Sequence, residues 1–166
     1  MGAANSLIRD QLNRFMSLRI ELINAATPSS DIEALFDIHK NSQYSPWSFS
    51  TFSDCFTPPY YGLVARQNGS VIGYAIILQV LDEATLMDIA VNSVWRGIGV
   101  GQRLIDTLFD IAKQKNTKEI WLEVRESNAS AISLYKKNGF EIIETRKNYY
   151  SSEQGKEHAS IMRWSQ

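Results

Sequence analysis

Residues 86–112 carry an apolar strand, a turn with three alternate glycines and a helix with one broad apolar face, in that order. Leu86, Met87, Ile89, Ala90 and Val91 supply the strand, and Arg96-Gly97-Ile98-Gly99-Val100-Gly101 supplies the turn. Leu104, Ile105, Leu108, Phe109, Ile111 and Ala112 then recur with the helical period. Glycine reaches backbone conformations closed to other residues and lets a ligand lie against the chain. The first turn of a helix has N–H groups without partners, so the combination describes a cradle for a phosphate or pyrophosphate. A flexible turn before a core helix is the plainer reading. A dinucleotide-binding turn fits poorly, because Gln102 holds its third glycine position and five residues separate Val91 from Gly97. A Walker-type turn fails for want of Gly-Lys-Ser/Thr.

The flanking sequence alternates strands and helices. Residues 18–23, 60–66, Ser70–Val80, 119–124, 140–144 and 159–164 read as strands, with Asn68-Gly69 as a hairpin turn. Ser30-Asp31-Ile32-Glu33 has the spacing of a capping box, predicting a helix through Ile32, Leu35, Phe36 and His39. A short helix over 49–56 and another over Ala129–Lys137 follow, the latter capped by Ser127-Asn128 and ended by Asn138-Gly139. A polar loop over 151–157 joins the closing strands. This is an α/β chain with a mixed sheet. At 166 residues, 44% hydrophobic and 21% charged, it has one domain's worth of core. That domain spans 18–166. Residues 1–17 read as a leader or extension with Leu7, Ile8, Leu12, Phe15 and Met16 on a weak amphipathic face, and a natural start near Met16 is expected.

Charge and cysteine content narrow the function classes. Lys+Arg 17 against Asp+Glu 18 argues against a protein held on nucleic acid by bulk positive charge, while leaving a small basic peptide open as substrate. The single Cys55 allows no internal disulfide, and no apolar stretch approaches the roughly 20 residues of a membrane helix. A cytoplasmic protein with no membrane partner is expected.

Two residues stand out chemically. In Ile120-Trp121-Leu122-Glu123-Val124-Arg125, alternation puts Trp121, Glu123 and Arg125 on one face. A carboxylate in an apolar strand is costly unless paired, hydrated or used. Partial burial would raise its pKa toward that of a general base, whereas an ion pair is the plainer alternative. Tyr135, in the helix Ala129–Lys137, is positioned to face the sheet with a phenol that can give a proton, or simply to pack. His39 reads as a helix surface or packing residue and His158 as a solvated loop residue. Neither has metal-ligand spacing.

Arg96-x-x-Gly99-x-Gly101 after an apolar strand resembles the acetyl-CoA-binding signature, Gln/Arg-x-x-Gly-x-Gly/Ala, of the GNAT acetyltransferases. The likeness extends to Leu81-Asp82-Glu83-Ala84-Thr85-Leu86, Trp121-Leu122-Glu123-Val124-Arg125, Ser127-Asn128-Ala129, Ala131-Ile132, Leu134-Tyr135, Asn138-Gly139-Phe140 and Arg146-Lys147-Asn148-Tyr149-Tyr150. This fuller set is similar to the branch that acetylates the N-terminal alanine of a small-subunit ribosomal protein.

The resemblance implies the GNAT fold: a mixed, mostly antiparallel central sheet flanked by helices and splayed at the acetyl-CoA site. It implies acetyl-CoA as co-substrate, no metal, an N-terminal ribosomal-protein peptide as partner, no direct nucleic-acid binding, and a monomer or weak oligomer. Ile89, Ala90 and Val91 would line the pantetheine arm, and the turn Arg96, Gly97, Ile98, Gly99, Val100, Gly101 and Gln102 would hold the pyrophosphate. Asn128 would touch the cofactor, with Glu123 as general base and Tyr135 as general acid. Gln102 stands where the family often has a basic residue, and Glu157-His158-Ala159 where relatives read Glu-Asp-Ala. A lysine or small-amine acetyltransferase and a non-catalytic acetyl-CoA-binding module are the alternatives.

Overall fold

The computed structural model describes residues 2–166, apart from the side chains of 14–16. Its elements in chain order are α1 (Gly2–Met16), β1 (Leu18–Leu22), α2 (Ser29–Ser42), α3 (Phe49–Asp54), β2 (Tyr60–Gln67), β3 (Ser70–Val80) and β4 (Glu83–Val91). A 3-10 turn at Ser93–Trp95 leads to α4 (Val100–Gln114), β5 (Glu119–Arg125), α5 (Ala129–Lys137), β6 (Glu141–Ser152) and β7 (Gly155–Ser165). Residues Leu7, Ile8 and Leu12 of α1 are exposed, while the expected contributions of Phe15 and Met16 to its apolar face lie outside the described side chains.

The seven strands form one sheet in the order β1-β2-β3-β4-β5-β7-β6. Only β4 and β5 are parallel; every other neighbouring pair is antiparallel. Helix α4 lays Leu104, Ile105, Leu108 and Ala112 on one face, packed with Leu63, Ile77, Leu86, Ile120 and Leu122. Burying each of those leucines and isoleucines contributes about 1.5–3 kcal/mol. Helices α2 and α3 cover the opposite face through Leu35, Ile38 and Phe52 against Val64, Tyr74 and Ile76. They cover β1–β4, and among the described residues no helix packs on that face of β5, β7 and β6.

The parallel pairing runs from Glu83 opposite Glu119 to Leu86 opposite Leu122 and stops there. On the other edge of β4 the register slips: Ile77 faces Leu86 but Ile76 faces Asp88, which makes Met87 an extra residue. Such a bulge bends its strand and increases its twist. Beyond it, 87–91 and 123–125 diverge, and the sheet opens into a splay.

Several elements depart from the sequence expectation. The Ser30–Glu33 capping box is not used, because α2 starts two residues earlier, with Pro28 as its N-cap. Proline presets a φ suited to a helix start, and Asp31 in the first turn pairs instead with Arg66 at 2.7 Å. The expected 151–157 loop is a hairpin, since β6 and β7 remain paired to Ser152 opposite Gly155. Strand β4 begins at Glu83 after a tight turn through Leu81, which is 90% exposed with φ 53. His39 lies on the packing side, almost fully buried, and bonds to Asp88.

Candidate active site

The splay has two banks. On the β4 bank, the Asn92 N–H donates to Ile72 O at 2.7 Å. Alternation along an antiparallel ladder then aims Ala90 at Tyr74 on β3 and turns the backbone groups of Ile89 and Val91 toward the gap. Ala90 thus drops out of the expected backbone trio: its in-plane groups face the neighbouring strand. The Val91 carbonyl accepts from Arg96 Nε at 3.1 Å, so this guanidinium curls back onto the strand.

The glycine turn completes this bank. Gly97 has φ 78 with open space where a Cβ would stand, and Gly99 caps α4 with φ 90. Arg103 N–H closes the first helical bond onto Gly99 O at 3.0 Å, which leaves the amides of Val100, Gly101 and Gln102 aimed outward. No acidic residue stands in that first turn. An anionic pyrophosphate fits here on backbone amides and helix dipole. The Gln102 side chain is engaged elsewhere, in a reciprocal amide pair with Asn138 at 2.8 and 3.0 Å that locks α4 to the end of α5. Asn128 acts as the N-cap of α5: its Oδ1 accepts from the Ala131 N–H at 3.2 Å.

The β5 bank carries the acid. Ile120, Leu122 and Val124 are buried toward α4, which turns Trp121, Glu123 and Arg125 to the opposite, helix-free face. Glu123 is therefore exposed, with 33% of its side chain accessible, and pairs with Arg146 at 3.3 Å. Of the two readings left open for this carboxylate, the ion pair is the one the structure shows, and among the described residues no helix crosses β5 on that side to bury it.

A bulge in β6 frames this carboxylate. Arg146 faces Ala159 and Tyr150 faces Glu157, so Lys147, Asn148 and Tyr149 together oppose His158 alone. Asn148 sits at φ 55 and its N–H donates to His158 Nδ1 at 3.0 Å. His158 is thus a strand residue that shapes the bulge, and not a solvated loop residue. A hydrogen bond to Glu123, aided by its charge, raises the Tyr149 pKa. Tyr150 stacks edge-on against Tyr149 at 4.9 Å and under Arg125 at 4.5 Å. Burial and then the Glu123 charge push its hydroxyl up to about 12. Glu157 anchors the hairpin to β5 by accepting from the Ser127 N–H at 2.8 Å and Arg125 at 3.3 Å. Hydrogen bonds from Ser127 and Arg125 hold its carboxyl below the ordinary range.

Tyr135 is 5% exposed on α5, its ring 5.8 Å from Phe140, and makes no side-chain hydrogen bond among the described residues. Burial first, then the charges of Asp88 and Tyr150, raise its pKa well above the ordinary value. Tyr135 and Glu123 lie on opposite faces of the sheet, with the splay as the gap between them.

The chain that carries these features, an anion cradle on one bank and an acid and a phenol on the elements beside the gap, is similar to known proteins. Residues 31–140 match the acetyltransferase (GNAT) family. The chain belongs to that family. As a GNAT it is an acetyl-CoA-dependent N-acetyltransferase. The ribosomal protein bS18-alanine N-acetyltransferase of Haemophilus influenzae is 42% identical over 133 residues, which cover 80% of this chain and 90% of that protein. The crystal structure of the ribosomal-protein-S18-alanine N-acetyltransferase from Escherichia coli superposes with a TM-score of 0.83 at 36% identity, covering 89% and 93% of the two chains. Ard1 from Thermoplasma volcanium follows at 0.78 and 28%, covering 90% and 97%.

The GNAT site also contains groups to which sequence reasoning gave no role: Arg146, Tyr149, Tyr150 and Asp88. Asp88 carried the same signal as Glu123, a charge inside an apolar strand. The tyrosines carried no periodic signal, since a bulged hairpin exposed on both faces shows no alternation; their one mark was the Asn148-Tyr149-Tyr150 segment of the family likeness.

Proposed function

We propose that this chain acetylates the N-terminal α-amine of an alanine on a small-subunit ribosomal protein, the substrate named for its bS18-directed relatives. Residues 18–166 act as the single catalytic domain, working in the cytoplasm. Bound acetyl-CoA supplies the acetyl group as an activated thioester. Ile89 and Val91 hold its pantetheine arm through their gap-facing backbone groups. The amides of Gly97, Ile98, Gly99, Val100, Gly101 and Gln102 hold the pyrophosphate, and the Asn128 amide group reaches the cofactor beside its capping oxygen.

An α-ammonium with an ordinary pKa of about 8 must lose a proton before it can attack. Glu123, paired with Arg146 at 3.3 Å, takes that proton. Tyr135 carries its proton at neutral pH, as a tyrosine with the ordinary pKa of about 10 already does, and gives it to the sulfur as the C–S bond breaks. The amine attacks the carbonyl carbon directly, so no acyl-enzyme forms. Cys55 has no role in it: it is buried, its pKa is raised by burial, and it donates to Thr51 O at 3.3 Å.

The observation that carries this reading is the anion cradle at the start of α4, where the amides of Val100, Gly101 and Gln102 are left without helical partners, together with the end of β4–β5 pairing at Leu86 and Leu122, directly before Glu123. The test is intact-mass analysis after incubation with acetyl-CoA and two peptides. One has a free N-terminal alanine followed by basic residues; the other has a blocked N-terminus and free lysines. One acetyl gained by the first alone is expected. Modification of the second would move the function to lysine acetylation, and no gain on either would refute the proposal.

A further inference from the structure

The Asp88 carboxylate stands directly after the bulge residue Met87, and no step above uses it. Three donors from two elements and a loop edge converge on it. The Tyr74 hydroxyl on β3 donates to Oδ2 at 2.6 Å, and His39 on α2 approaches the same oxygen through Nδ1 at 2.8 Å. Gln43 Nε2, just past α2, donates to Oδ1 at 3.0 Å. His39 Nε2 accepts from the Trp47 backbone N–H at 2.9 Å, which requires the proton to be on Nδ1. One hydrogen-bonded chain thus runs from the Trp47 amide through the imidazole to Asp88.

The network is enclosed. His39 is 1% exposed and the Asp88 side chain 8%. The rings of Trp47 and Phe52 lie 5.0 and 5.1 Å from the imidazole. Inside such a low-dielectric box a satisfied network is stiff, and an unsatisfied member is costly. Two things are fastened by it. A bulge has no partner for its extra residue, so its register depends on what holds the neighbours; Asp88 is that neighbour on one side and Leu86 on the other. The second is the loop 43–48, tied at Gln43 and Trp47 on the face from which Glu123 projects.

We propose that Asp88 is a positioning residue for acetyl transfer. Through Tyr74, His39 and Gln43 it pins the β4 bulge, and with it the gap-facing amide of Ile89, and it holds the loop 43–48 against the acceptor side of the splay. This rests on the reading of Ile89 as a cofactor contact. Misplacing reacting groups by about 1 Å can cost on the order of a hundredfold in rate, so a pinned bulge has a measurable consequence.

The test uses the full chain with Asp88→Ala, Asp88→Asn, Tyr74→Phe and Gln43→Ala. It reads kcat and KM, the CoA dissociation constant by calorimetry, Trp47 amide exchange, and the imidazole nitrogen signals of His39 by NMR. Asp88→Ala should lower kcat per CoA-binding site by about tenfold or more, weaken CoA binding by about threefold or more as the Ile89 amide loosens with the bulge, speed Trp47 exchange and shift the His39 tautomer. Asp88→Asn keeps an acceptor and should recover most of that loss. Gln43→Ala should raise KM for the peptide and leave KM for acetyl-CoA unchanged. A merely structural role would lower stability without changing kcat per CoA-binding site, and that result would overturn the proposal. If Asp88→Ala fails to fold, Tyr74→Phe decides: an unchanged kcat with an unchanged His39 signal refutes it. Wild-type protein that binds CoA but acetylates no α-amine would refute the function instead, which keeps the two failures apart.

Discussion

The two banks of the splay each carry one carboxylate, and the two are treated in opposite ways. Asp88 on β4 is buried and committed to three donors of the fold, whereas Glu123 on β5 is exposed and ion-paired only with Arg146 of the β6 hairpin among the described residues. The difference follows from coverage. Helices α2 and α3 pack on the β4 side and seal Asp88, while among the described residues no helix lies over that face of β5. A sealed carboxylate with every oxygen engaged suits holding a strand still, while an open one with an exchangeable partner suits meeting a substrate ammonium. Two acids of similar intrinsic chemistry are given opposite surroundings, one sealed and one open, by packing alone.

If that division is right, substitutions on the β5 side should act on turnover and those on the glycine turn on cofactor affinity. Glu123→Gln has the largest expected effect: kcat falls by about 10²–10⁴-fold with the CoA dissociation constant nearly unchanged by calorimetry. A large loss of CoA affinity would break the comparison. Tyr135→Phe should cost about 10–10²-fold in a single-turnover assay, again sparing CoA binding.

The raised pKa of Tyr135 adds a pH signature. Above its ordinary value of 10, the unfolded chain ionises while the folded chain stays protonated, so stability falls as pH rises past that point. Urea midpoints compared at about pH 8 and 10.5 should show the fall, and Tyr135→Phe should reduce it. Gly99→Ala places a side chain at φ 90 and should cost about 1–2 kcal/mol in stability, with CoA affinity weakened about tenfold. The smallest effect belongs to Arg146→Ala. Its ion pair is exposed, so the stability change should stay under about 1 kcal/mol and the rate within about threefold. A hundredfold loss there would make Arg146 part of the acceptor site and redraw the β5 bank.

Much of this was legible from local pattern. The helix α4 followed from its apolar period, the hairpin at Asn68-Gly69 from turn residues at φ 51 and 82, and the end of α5 from Gly139 at φ 91. The β6–β7 hairpin was not, because β6 is exposed along nearly its whole length and its polarity does not alternate. The Leu81 turn was missed for a related reason: it adopts a left-handed φ without glycine or asparagine, so it has no local chemical mark. Glu123 was found and its face assigned, and of the two environments left open for it, partial burial and an ion pair, the structure shows the pair with Arg146. The same alternation is compatible with a strand covered on both faces or on one.

Residue order thus determined the strand–glycine–helix unit, the face on which Glu123 lies and the helix that carries Tyr135, since all three depend on periods of two and 3.6 residues and on glycine's backbone freedom. Tertiary structure decided where pairing between β4 and β5 ends, which carboxylate is sealed, and how β6 brings Tyr149 and Arg146 to Glu123. Those outcomes depend on which helix covers which strand and on bulges that shift register by a residue or two. Both are properties of contacts between segments far apart in the chain, and no local period encodes them.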